Sequence, residues 1–120
     1  MLYHIVTINN KDYKCRLSAR ALVDLEKKMG TNPLNIFMAI ATKQEVPPLD
    51  ALIQVFHASL LQFNHGISID DAYEIYDEFI DEGHNMMDLI PIIMDVFKVS
   101  GLLPEEEAEE PKNAPKVIKK

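Results

Sequence analysis

The chain has 120 residues, which is the length of one domain, and its formal net charge is −7. This acidic balance excludes nucleic acid as a main partner, because phosphate contacts need clustered lysine and arginine. The sequence shows no apolar run of membrane-spanning length, no signal-peptide pattern and a single cysteine, Cys15, which together favour a reducing cytoplasm.

The first predicted elements are two short strands. Residues 2–8 are rich in β-formers, and residues 13–17 alternate apolar and charged side chains. The polar cluster at 9–12 predicts a β-hairpin with a four-residue loop. A lone hairpin is marginally stable in water, so its apolar face must pack on the following helices or join another chain's sheet. We expect Cys15 to be a small buried filler on that face.

Two short helices are predicted next. Ser18 caps a helix that Gly30 ends in the left-handed conformation. Asn32 caps the second helix, with Pro33 at its first position. This second helix, residues 34–41, is apolar on nearly every side.

The third and fourth predicted helices differ in charge. Residues 49–63 carry a wide apolar stripe, whereas residues 70–88 hold eight acids and no lysine or arginine. Ser68 and Asp71 form the capping box of the fourth helix. The residues of that helix that are expected to face the core are Ile69, Ala72, Tyr73, Tyr76, Phe79 and Ile80.

A last helix, residues 86–99, is predicted to start after Asn85. It is apolar around most of its circumference, and Pro91 should bend it, because proline lacks an N–H and its ring crowds the preceding turn. Such a segment is either central to a core or pressed against a second chain. The sequence leaves both possibilities open.

The predicted fold is mainly α, a small α+β domain of about five helices with an N-terminal β-hairpin over residues 1–103. From residue 104 the chain holds five glutamates, four lysines and three prolines, and Val117 and Ile118 are its only large apolar residues. Residues 104–120 are therefore predicted to form a disordered charged tail.

An apolar excess is the main functional signal. The second, third and last predicted helices are too apolar to be enclosed by about 100 ordered residues, so we expect another chain to cover part of them. Several of the exposed candidates are methionines, which adapt to varied partners. The expected partner-contact residues are Phe37, Met38, Met86, Met87, Ile90, Met94 and Phe97.

Enzymatic and metal chemistry are not expected. The histidines are scattered, the four glycines all lie at helix or turn stops, and no nucleophile–base motif is present. An EF-hand aligned on Gly83 would place Ile80 at a ligand position, and that segment also reads as a helix. We therefore predict no catalytic residues, no metal and no cofactor.

Two short motifs carry a resemblance. Residues 9–13 read Asn-Asn-Lys-Asp-Tyr, and residues 25–30 read Leu-Glu-Lys-Lys-Met-Gly. They resemble the Asn-Gly-Lys-x-Tyr hairpin turn and the Leu-Glu-Lys-Lys-x-Gly helix end of tail assembly chaperones from long-tailed bacteriophages and prophages of Gram-positive bacteria. Asn10 replaces the turn glycine, which is tolerated because asparagine also enters the left-handed region. The resemblance covers roughly residues 5–103 and is strongest before residue 40.

This resemblance implies a non-catalytic chaperone. Such proteins bind the long, apolar-rich tape measure protein in the host cytoplasm, keep it soluble while the tail assembles, and are absent from the finished virion. It also implies a longer frameshifted form that recruits the tail tube protein, and self-association is expected. The alternative is a small helical dimeric adaptor or regulatory protein.

Overall fold

The computed structural model describes residues 2–104. It confirms a small α+β fold in which an N-terminal antiparallel hairpin precedes five α-helices. The predicted charged tail, apart from Pro104, lies outside the described residues. The elements are β1 (His4–Ile8), β2 (Lys11–Cys15), α1 (Ala19–Met29), α2 (Pro33–Lys43), α3 (Leu49–Leu60), α4 (Ile69–Asp81), a 3₁₀ turn (Met86–Asp88) and α5 (Leu89–Val99).

The hairpin turn is shorter than predicted. Ile8 pairs with Lys11, so only Asn9 and Asn10 form the loop, with φ of 54° and 62°. Two successive residues at positive φ are the mark of a type I′ turn, whose twist matches that of the flanking strands. The predicted four-residue loop is wrong, because two asparagines that tolerate this conformation reverse the chain and leave Lys11 and Asp12 in β2.

The predicted starts of α1, α2 and α4 are confirmed. The side chains of Ser18 and Asn32 accept backbone N–H groups at 3.1 and 2.8 Å. Ser68 and Asp71 form a reciprocal capping box with both hydrogen bonds at 3.0 Å. Gly30 ends α1 at a φ of +75°, where a side chain would be strained. Local sequence therefore determines where these helices begin and where α1 ends.

Helix α3 is the centre of the fold. It packs against α1, α4, α5 and β2, and only four of its residues escape full burial. The helix ends at Leu60 rather than at residue 63. The backbone turns after Leu60, and the side-chain amide of Asn64 donates to the Leu60 carbonyl at 2.9 Å. The apolar excess of α3 thus fills this chain's own core and does not require a partner.

Pro91 does not bend a continuous helix, contrary to the prediction. Met86–Asp88 is a 3₁₀ turn capped by Asn85, and α5 begins at Leu89. Pro91 is thus the third residue of α5, where a backbone N–H would have no acceptor within the helix. It helps to set the start of α5, and its ring disrupts no helical turn.

The inward face of α4 is narrower than predicted. Ala72, Ile75 and Phe79 are buried at helical spacing. Ile69 and Tyr73 are each 36% exposed, so the prediction that they face the core is wrong. Ile75, which lies between Tyr73 and Tyr76 in sequence, takes the core position instead, one helical turn before Phe79.

The hairpin packs on the helices of its own chain. Val6, Ile8, Tyr13 and Cys15 are buried beneath it, which resolves the alternative of an intermolecular sheet for this face. The Arg16 N–H donates to the Ser59 carbonyl at 2.8 Å and so joins the strand end to α3. Burial raises the pKa of the Cys15 thiol to about 11, although a hydrogen bond with Ser59 opposes the shift. Cys15 is the predicted apolar filler.

Candidate functional site

The structure places two of the predicted contact residues in the core. Phe37 and Phe97 are buried, and their rings meet edge to face with centroids 5.1 Å apart at 89°. Both side chains are at most 3% exposed, so neither ring is offered to a partner. The prediction that these two aromatics contact a partner is therefore corrected to a packing role between α2 and α5.

The other five predicted residues divide by exposure. Met38 and Met87 are each 47% exposed, whereas Met86, Ile90 and Met94 are half-buried against the core. Met38 lies on α2, and the remaining four lie on or beside the start of α5. The two exposed methionines remain available for contact, while the three half-buried residues chiefly close the domain.

A groove that the sequence reasoning missed runs along α3. One depression of about 310 Å³ lies between α1, α3 and the start of α4, and a second of about 260 Å³ lies between the ends of α1 and α2 and the start of α3. Both are lined by Lys28 and Gln54, so the two depressions adjoin there, and we call them together the α3 groove. Its lining residues are Ala21, Asp24, Leu25, Lys27, Lys28, Met29, Ile36, Asp50, Ala51, Gln54, His57, Ala58, Leu61 and Ile69.

The α3 groove has an apolar floor and apolar ends. Leu25 and Ala58 form the buried floor, while Leu61 and Ile69 are more than a third exposed at one end. At the other end, Ile36 also lines a third depression of about 260 Å³ beside the loop before α3. Val46, which is 60% exposed, lines this third depression. Apolar surface is therefore open to solvent along the side of the domain.

Charged side chains rim the middle of the groove. Lys27 and Lys28 follow each other in the last turn of α1, where the helix dipole favours cations. Within residues 2–104 no carboxylate lies within 4 Å of either ammonium group. Asp24 and Asp50 also line the groove, on either side of the lysine pair. The rim is thus locally mixed in a chain that is acidic as a whole.

His57 fixes one end of the groove. Its Nε2 lies 2.9 Å from the carbonyl oxygen of Ile67, just before the cap of α4. This contact ties the segment between the helices to α3 and places Ile69 at the groove wall. The histidine thus has a structural role at the position where it lines the groove.

The acidic surface has local structural roles. Hydrogen bonds from the backbone and side chain of Ser68 lower the pKa of the Asp71 carboxyl, with a smaller contribution from nearby His57. Glu82 accepts the backbone N–H of Asn9 and so links α4 to the hairpin turn. Asp88 completes the capping box of Asn85. Three of the eight acids thus cap or join elements.

Metal-ligand geometry is lacking in the described region. Among residues 2–104, no group of three His, Cys, Asp or Glu side chains is arranged to hold a metal ion. The residues that an EF-hand loop would need at 78–81 lie in α4. In the same part of the chain, no helix combines the length and apolar character needed to cross a bilayer.

The comparisons with known proteins identify a family. The model of a family of unknown function, DUF6096, matches residues 3–116, nearly the whole chain. The chain therefore belongs to this family. No curated protein and no solved structure matches it.

Proposed function

We propose that this DUF6096 family member is a non-catalytic tail assembly chaperone that binds the tape measure protein and keeps it soluble. The α3 groove is the observation that carries the proposal: after the core has closed, a groove with an apolar floor and apolar ends stays open to solvent. The resemblance of the hairpin turn and of the end of α1 to tail assembly chaperones supplies the identity of the client.

The groove alone supports only weak binding. Covering the exposed parts of Val46, Leu61 and Ile69 contributes roughly 2–4 kcal/mol on the chaperone side, from the usual value of 1.5–3 kcal/mol for burying a whole side chain. Association costs remove part of this gain. A single copy would bind a client segment loosely, so the proposed chaperone acts through many copies along a long client, which raises its occupancy by avidity.

The proposed setting follows from the client. The protein acts in the host bacterial cytoplasm and is absent from the finished virion. Self-association covers the same apolar surfaces when no client is present. A longer frameshifted product, in which the segment after residue 104 serves as a linker, recruits the tail tube protein.

Co-expression tests the proposed function. The full chain is produced together with the tape measure protein of the phage or prophage that carries its gene, and the soluble client fraction is measured by sedimentation and gel densitometry. We expect a several-fold rise over expression of the client alone. An unchanged soluble fraction contradicts the proposal.

Light scattering of the purified chain separates the proposal from the dimeric adaptor. A chaperone that covers its own apolar surfaces should give a concentration-dependent series of oligomers. A fixed dimer with no effect on client solubility would favour the adaptor.

A further inference from the structure

We infer that the α3 groove holds an amphipathic helix whose apolar stripe is flanked by acidic side chains that face Lys27 and Lys28. This inference rests on the proposed function, because it specifies the client segment that the chaperone recognises. The groove, its charges and its dimensions carry it.

The shape of the groove fits a helix. Ala21 and Leu61 line one of the two depressions and Met29 and Ala51 line the other, so α1 and α3 run antiparallel along the groove. From Asp50 to Leu61 the rise of α3 is about 16 Å, which matches three turns of a bound helix. An apolar stripe on such a helix would lie on the floor of the groove.

The lysine pair sets the charge of the occupant. Within residues 2–104 both ammonium groups lack a carboxylate partner, although acids outnumber bases 19 to 12 in the whole chain. An acidic side chain on the occupant would supply this partner, whereas a lysine there would meet two like charges. Asp24 and Asp50 lie on either side, so the acidic preference is confined to the middle of the groove.

The net charge of the whole protein opposes the binding of an acidic segment. With a net charge of −7 the protein as a whole repels acidic segments. At physiological salt the Debye length is about 8 Å, so contacts at the groove outweigh distant carboxylates. A decisive experiment must therefore separate the local pair from the net charge.

Two synthetic peptides test the inference. Both are capped helical peptides of about 16 residues with leucines at i, i+3, i+4 and i+7, and they differ only in carrying glutamate or lysine beside the leucine stripe. Binding to the full-length ¹⁵N-labelled protein is followed by NMR titration. We expect dissociation constants of about 0.1–1 mM, a three- to tenfold preference for the glutamate peptide, and the largest shifts at Leu61 and Ile69.

Charge reversal supplies the matched variants. The double variant Lys27→Glu/Lys28→Glu should reverse the preference, so that the lysine peptide binds more tightly. The control variant Lys14→Glu/Lys43→Glu changes the net charge equally but lies outside the groove, and it should keep the wild-type preference. The inference is overturned if both variants lose the preference for the glutamate peptide equally. It is also overturned if the wild-type protein binds the two peptides equally or binds neither.

Co-expression separates failure of this inference from failure of the proposed function. If Lys27→Glu/Lys28→Glu solubilises the tape measure protein as well as the wild type does, the proposed function is supported and the preference of the groove for acidic segments is contradicted. If the glutamate peptide binds more tightly but the wild type leaves the client insoluble, the proposed function is contradicted and the preference of the groove for acidic segments is supported.

Discussion

Truncation of Phe97 distinguishes a core residue from a contact residue. Its side chain is fully buried and meets the Phe37 ring edge to face. Phe97→Ala removes this burial and leaves a cavity, so the free energy of unfolding should fall by about 3–5 kcal/mol. Roughly 0.5–1.5 kcal/mol of that loss is the aromatic pair itself. Since a domain of this size is stable by about 5–15 kcal/mol, the loss is a large share of the total.

The assay is urea unfolding followed by far-ultraviolet circular dichroism, because the chain has no tryptophan to report by fluorescence. Phe97→Leu, which should cost about 1–2 kcal/mol, keeps the test informative if the alanine variant fails to fold. Met87→Ala is the matched control, since Met87 is 47% exposed and should lose less than about 1 kcal/mol. A loss below 1 kcal/mol for Phe97→Ala, or equal losses for Phe97→Ala and Met87→Ala, would refute the assignment of Phe97 to the core.

Four further predictions concern local features. Ellman's reagent should label Cys15 only as fast as the protein unfolds, because the buried thiol has a pKa of about 11; rapid labelling of the native protein at pH 8 would contradict its burial. Asn10→Val should lower the free energy of urea unfolding by about 1–2 kcal/mol, since Asn10 has a φ of 62°, whereas Asn10→Gly should be neutral or stabilising, and equal effects would exclude the type I′ turn. Ser68→Ala should cost about 1 kcal/mol at pH 7. The pKa of the Asp71 carboxyl in the folded protein lies below its ordinary value of 3.8, so the stability that this carboxylate contributes is present above pH 3.8 and is lost as the pH falls through the folded pKa. On acid titration, Asp71→Asn should therefore lose less stability than the wild type. Identical acid profiles of the two proteins would contradict the capping role of Asp71. Pro91→Ala should change stability by less than about 0.5 kcal/mol, whereas a gain near 3 kcal/mol would place Pro91 in a strained helix interior.

The starts of α1, α2 and α4 were the predictable part of this fold. Ser18, Asn32 and Ser68 act on backbone groups two or three residues away, so their capping depends on little beyond the neighbouring sequence. The hairpin was likewise visible as two β-rich segments around a polar cluster. Its turn length was mispredicted, because four polar residues fit either a loop or a two-residue turn followed by strand, and only the pairing of Ile8 with Lys11 distinguishes them.

The assignment of apolar residues to core or surface was not predictable from periodicity. Phe37 and Met38 are neighbours in an almost wholly apolar helix, yet one is buried against Phe97 and the other is exposed. A helix that is apolar on every side gives no stripe from which to read its orientation. The α4 stripe shows the same limit, since Tyr73 and Ile75 are both plausible core residues and packing on α3 selects Ile75.

The composition of residues 86–99 showed that this segment is apolar. It also predicted that either the core of this chain or a second chain covers the segment. Tertiary structure alone decided that Leu89, Ile93, Val96 and Phe97 face this chain's own core. It also decided that Leu61 and Ile69 stay exposed in the α3 groove. The physical reason is that local sequence controls short-range hydrogen bonds, whereas a groove exists only through the distance and angle between α1 and α3, which the packing of the whole domain sets.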